Sequence, residues 1–121
     1  MAKGDDIEER LIDFAVRIVA VSKHLFASET GKHIASQILR SGTSPAANYA
    51  EARGAESKRD FIHKLKITLK ELNETRVWLK IISRSELMPP IRLQDLLTEN
   101  DELCRIINAS IKTSREKSVH N

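Results

Sequence analysis

The chain is poor in the features that staple small secreted folds or build common catalytic sites. Cys104 is the single cysteine among 121 residues, so no disulfide can form within the chain. A lone thiol suits a reducing compartment, and a cytoplasmic setting is expected. Four glycines and three prolines leave few places to turn, which points to a few long elements. Five residues are aromatic, and they form no pattern of the kind that stacks bases. No apolar run approaches the roughly 18 residues of a membrane span, and Met1 to Asp6 lacks the apolar core of a signal peptide.

Reactive groups are equally sparse. His24, His33, His63 and His120 stand singly, with no Glu-x-x-His or Cys-x-x-Cys pair and no glycine-rich phosphate loop. Cys104 falls on an apolar stripe, where an inert buried thiol is the ordinary outcome. No catalytic, cofactor or metal site is therefore expected, and an enzyme would require a ligand that these residues do not announce.

What remains is a soluble, charged, helix-forming composition: 40% hydrophobic and 31% charged, with Leu and Ile dominating the apolar set. The length fits one domain with a real core. The net charge of +3 is unevenly spread. Residues 1–29 hold four bases and six acids, residues 30–84 eleven and five, and residues 85–121 five and six. The excess of positive charge sits in the central half, where it attracts phosphate or forms a solvated helix face.

Hydrophobic periodicity gives four helices. The first is expected from about Asp5 to Phe26, with Ile7, Leu11, Phe14, Ala15, Ile18, Ser22 and Leu25 facing inward. Ile12, Val16 and Val19 form a second apolar stripe beside them. A helix apolar on two sides is deeply buried or meets another subunit. Ser28 to Gly31 is a tight connection to a second helix, about Thr30 to Arg53. Ser57, with Asp60 three residues on, resembles a capping box that opens a third helix, Lys58 to Ser83. Its inner stripe is Phe61, Leu65, Thr68, Leu69, Leu72, Leu79 and Ile82; Ile67, Val77, Trp78 and Ile81 point elsewhere and again suggest an interface. A turn through Pro89 and Pro90 leads to a fourth helix, about Pro90 to Lys112, with Leu93, Leu97, Asn100, Cys104, Ile107 and Ile111 in register. Residues 1–113 then make an antiparallel up-down four-helix bundle, and residues 114–121 a flexible polar tail.

Two features ask for more than a bundle. A proline inside a helix costs about 3 kcal/mol, yet Pro45 stands mid-way in the second helix among Gly42, Thr43 and Ser44. Ile34, Ile38, Pro45, Tyr49 and Ala52 keep helical register across it, as do Gln37, Arg40, Ser41, Ser44, Asn48 and Glu51 on a neighbouring side. The segment therefore reads as one helix, bent at Pro45, whose small residues admit a neighbour closely. Arg76 falls on the inner stripe of the third helix, and a buried guanidinium needs partners. Asn48 and Glu51 are the expected ones, forming a structural polar cluster, with Glu71 and Glu74 as alternatives; otherwise Arg76 snorkels to an edge.

The run from Gln37 to Glu51, followed by Asp60-Phe61, Leu65-Lys66-Ile67 and Lys70 to Leu79, resembles a bacterial family of four-helix proteins named after the intervening sequences of 23S ribosomal RNA genes. Arg40, Ser41, Ser44, Asn48, Ala50 and Glu51 match its first motif, and Phe61, Leu65, Glu71, Leu72, Glu74, Thr75, Trp78 and Leu79 its second. Ala52 departs, standing where glycine is usual. The resemblance spans residues 5 to 112 and implies a ring-like homopentamer. Accessory proteins of diversity-generating retroelements are similar, and through them the resemblance implies nucleic acid and a reverse transcriptase as partners.

The expectation is thus a non-enzymatic oligomer that binds structured RNA or DNA by its phosphates. Arg40, Arg59, Lys66, Lys70 and Lys80 are the expected contacts, since Lys and Arg hold phosphate without base specificity. Ile12, Val16, Val19, Ile67, Val77, Trp78 and Ile81 are the expected subunit interface. The alternative is a scaffold that recruits a nucleic-acid enzyme.

Overall fold

A computed structural model describes residues 4–119, with side chains from Gly4 to Lys117. Four long helices account for nearly all of it: α1 (Asp5–His24), α2 (Glu29–Arg53), α3 (Lys58–Arg84) and α4 (Gln94–Val119). Short 3-10 turns at Leu25–Ala27 and Pro90–Arg92 complete the links. Among the described residues there is no strand, and no helix is long and apolar enough to cross a membrane.

Local chemistry sets the helix starts. The Ser28 side chain accepts from the Gly31 amide and the Ser57 side chain from the Asp60 amide, each at 3.0 Å. Each serine thus satisfies one of the amides that a helix start leaves without a backbone partner. Pro90 opens the 3-10 turn rather than α4 itself, which begins at Gln94. The first helix likewise stops at His24, two residues before the expected end, and tightens into the 3-10 turn that buries Leu25. α4 continues past the expected end at Lys112 to Val119, because Arg115, Glu116 and Lys117 favour helix and no glycine or proline interrupts them. His120 and the end of the expected tail lie outside the described residues.

Cross-helix contacts fix the arrangement. Arg53, at the end of α2, reaches Asp5 and Glu8 at the start of α1. Glu51 pairs with Lys64, and Arg40 with Glu71 and Glu74, so α2 and α3 run in opposite directions. Asn100 of α4 donates to the Leu72 carbonyl of α3 at 3.2 Å, and Arg10 of α1 pairs with Glu99 and Glu102 of α4. The core fills the space between, with Phe14, Ile18, Ile38, Leu65, Leu72 and Ile107 fully buried.

α2 is one helix with Pro45 inside it and buried. Its small residues permit close packing on α1: a Cβ on Gly42 would lie 2.6 Å from Ile18 Cγ2, far inside van der Waals contact. Ser41, one residue earlier, is buried with its hydroxyl 2.9 Å from that of Thr75 on α3. The polar side of α2 is therefore partly a helix–helix seam.

Candidate nucleic-acid interface

α3 exposes one line of side chains along its length. Arg59, His63, Lys66 and Lys70 follow steps of three and four residues, all exposed, and the line continues as Val77, Lys80, Ile81 and Arg84. Lys66 and Lys70 stand one turn, about 6 Å, apart along the axis. Near the start of the helix, Lys58, Arg59, Ile62, His63 and Lys66 surround a shallow depression of about 420 Å³. The first half of this face is therefore basic, and the second half is apolar with cations beside it.

Arg59, Lys66, Lys70 and Lys80 have no acidic partner among the described residues. Arg40 differs. Its guanidinium lies 3.0 Å from Glu71 and also pairs with Glu74, so it ties α2 to α3. The structure thus separates Arg40 from the other four expected phosphate contacts.

The expected polar cluster of Asn48, Glu51 and Arg76 does not assemble. Arg76 is 38% exposed and pairs across the α3–α4 seam with Asp101 at 3.4 Å. Both partners are partly exposed, so the head lies at the edge of the bundle and snorkelling avoids burying the charge. Asn48 instead donates to the Ser44 carbonyl and hydroxyl at 3.0 and 2.8 Å, one turn back on its own helix. Glu51 faces Lys64 at 3.6 Å.

The second apolar stripes divide. Ile12 and Val16 on α1 are 40% and 63% exposed, and Val77 and Ile81 on α3 are 53% and 39% exposed. Val19, Ile67 and Trp78 are half-buried, and the Trp78 indole donates to Glu74 at 3.1 Å. Trp78 thus belongs to its own bundle more than to an exposed patch. Glu9 and Asp13 are exposed beside Ile12 and Val16.

The ion pairs of Arg10 and Arg53 carry no local sequence signal, since each joins residues far apart in the chain. Arg10 grips Glu99 through two nitrogens, at 2.7 and 3.1 Å, and meets Glu102 at 3.0 Å. These bonds, the one to Glu99 first, hold the guanidinium proton more firmly than usual, with partial burial opposing them. Arg53 is held likewise, by Asp5 first and Glu8 second. On α4, Cys104 lies 3.7 Å from the buried Asn100 side-chain oxygen and 3.6 Å from that of Asn73. Burial pushes its thiol pKa up, which disfavours the thiolate that a nucleophile needs.

Known proteins share this architecture. A solved structure described as a protein with unknown function from the S23 ribosomal protein family of Bacteroides thetaiotaomicron superposes with a TM-score of 0.84. It is 39% identical, and the match covers 88% of this chain and 98% of that one. No curated protein matches the chain. The family model of the 23S rRNA-intervening sequence protein matches residues 5–109. With that match over most of its length, the chain belongs to the 23S rRNA-intervening sequence protein family.

Proposed function

We propose that this protein is a non-enzymatic, self-associating cytoplasmic protein that binds structured RNA or DNA through phosphate contacts on the outer face of α3. The observation that carries this reading is the division among its cations. Arg10, Arg40, Arg53, Lys64 and Arg76 pair with acids, whereas Arg59, Lys66, Lys70 and Lys80 stand exposed along α3. Contacts of this kind release counterions and carry no sequence information, so binding is shape-led and weakens with salt. A filter-binding titration of a structured RNA and a duplex DNA at rising salt tests the reading. The expected result is a linear fall of log affinity with log salt; no binding at low salt, or a flat response, rejects it.

Self-association is supported by the exposed pairs Ile12–Val16 and Val77–Ile81. Glu9 and Asp13 flank the first, Lys80 and Arg84 the second, so the two surfaces are complementary in charge. Because the surfaces differ, one copy would meet the next head to tail, which closes into a ring or runs on as a filament. A homopentamer is the ring that the family resemblance favours. Light scattering in solution should give a mass near five chains, and a monomer at all concentrations would rule the interface out.

A second reading, a scaffold that recruits a nucleic-acid enzyme such as a reverse transcriptase, draws on a different feature. Phe26 and Ile91 are 52% and 75% exposed in the two 3-10 turns, which the opposed helix directions bring to one end of the bundle. Nuclease-resistant capture of such an enzyme, lost on combining Phe26→Ser with Ile91→Ser, would favour this reading over phosphate binding.

A further inference from the structure

The other end of the bundle, where α1 begins and α2 finishes, carries an open cavity of about 690 Å³. All four helices build it: Ile7 of α1, Tyr49 of α2, Phe61 of α3 and Ile106 of α4 line its walls. Its size lies within the range of small-molecule sites. Gly4, at φ +101°, forms part of the rim. A Cβ there would come within 3.0 Å of the Tyr49 hydroxyl, so a bare backbone keeps the space beside that group.

Tyr49 is the unusual wall residue. It is 5% exposed, and its hydroxyl finds no hydrogen-bond partner among the described residues. Buried tyrosines ordinarily do find one. Among the described residues no fully buried side-chain oxygen or nitrogen lacks a partner, and the Tyr49 hydroxyl escapes that rule by opening onto the cavity. Burial also raises its pKa, so it stands as a neutral donor.

Charge narrows the ligand. Arg53 reaches the cavity but is already shared between Asp5 and Glu8, at 2.7 and 3.2 Å. Lys117 lines the cavity too and has no acidic partner among the described residues. A ligand that satisfies both unpartnered groups needs one acceptor, preferably anionic, for the Tyr49 hydroxyl and the Lys117 ammonium. The rest of it should be apolar, to cover Ile7, Phe61, Ile106 and Ala109.

From these contacts we infer that this end of the bundle is a binding site for an apolar monocarboxylate, its carboxylate between Tyr49 and Lys117 and its chain against Phe61 and Ile106. The site is separate from the α3 face, so it stands or falls apart from the nucleic-acid reading.

Calorimetric titration of the full chain with decanoate tests it, alongside Tyr49→Phe, Ala109→Phe and decanol as a neutral comparison. Ala109 is exposed, so a phenyl ring there fills the cavity mouth without entering the core. Saturable one-to-one binding is expected, with decanoate tighter than decanol. Tyr49→Phe should weaken decanoate about tenfold, the loss of one hydrogen bond to a charged group, and leave the thermal midpoint of the free protein unchanged. Ala109→Phe should abolish binding. Absence of saturable binding, equal binding by Ala109→Phe, or unchanged affinity in Tyr49→Phe would overturn the site, and decanol binding as tightly as decanoate would overturn the carboxylate.

Discussion

Thr75 and Ser41 share a buried seam between α3 and α2, and neither hydroxyl reaches water. The Thr75 hydroxyl also lies 2.8 Å from the Glu71 carbonyl, whereas Ser41 has otherwise only a long 3.5 Å contact to the Ile38 carbonyl. Thr75→Val should therefore leave Ser41 nearly unsatisfied and cost about 1–2 kcal/mol in urea unfolding. Adding Ser41→Ala should recover part of that loss, and simple additivity would contradict the coupling. Cys104 gives a pH dependence. Its thiol pKa is raised by burial, with nearby Arg76 partly opposing, so the folded chain holds this proton to higher pH than the unfolded one. The stability this contributes is complete below the ordinary thiol range near pH 8.5 and drains away as pH rises through the folded value. Urea midpoints of the wild type should fall more steeply than those of Cys104→Ala between neutral pH and about pH 10; parallel curves would contradict the burial. The inward residues of each stripe are legible in the sequence because periodicity alone selects them. Arg76 is not, since its long stem lets the head leave the stripe for Asp101 on a helix that local spacing does not reach.

Among the elements, α2 depends most on what its sequence omits. Gly42 admits Ile18 of α1 so closely that Gly42→Ala must push one helix away. Helix propensity favours alanine by about 1 kcal/mol, but overpacking a tight contact costs about 1–3 kcal/mol. Gly42→Ala should accordingly be neutral to destabilising in chemical unfolding, and a gain of a full kcal/mol would show that α1 and α2 are less closely packed. The small residues around Pro45 mark a site of close approach in the sequence, and Gly42 supplies the contact. Helix starts are legible too, because Ser28 and Ser57 cap where their type and spacing suggest. The 3-10 turns are not, since whether a chain tightens at a helix end depends on the neighbour it must clear. The length of α4 exceeds expectation for a related reason: polarity after Ile111 suggests an end, although polar residues can continue a helix.

For the whole molecule, the family and the four helices follow from motif and period, while the division of its charges emerges only in three dimensions. Sequence places Arg40 with the other bases, but its position opposite Glu71 and Glu74 makes it a strut. Arg59, Lys66, Lys70 and Lys80 remain on the outer face of α3, and the proposed function rests on them. Replacing Arg40 should cost stability and leave the salt dependence of binding unchanged. The most direct measurement is the slope of log affinity against log salt for wild type and a variant with all four α3 cations changed to glutamine. Each phosphate deprived of its cation should flatten the slope by about one, so the variant should bind weakly with a slope several units shallower. An unchanged slope and affinity in a folded variant would contradict the assignment of nucleic-acid binding to α3.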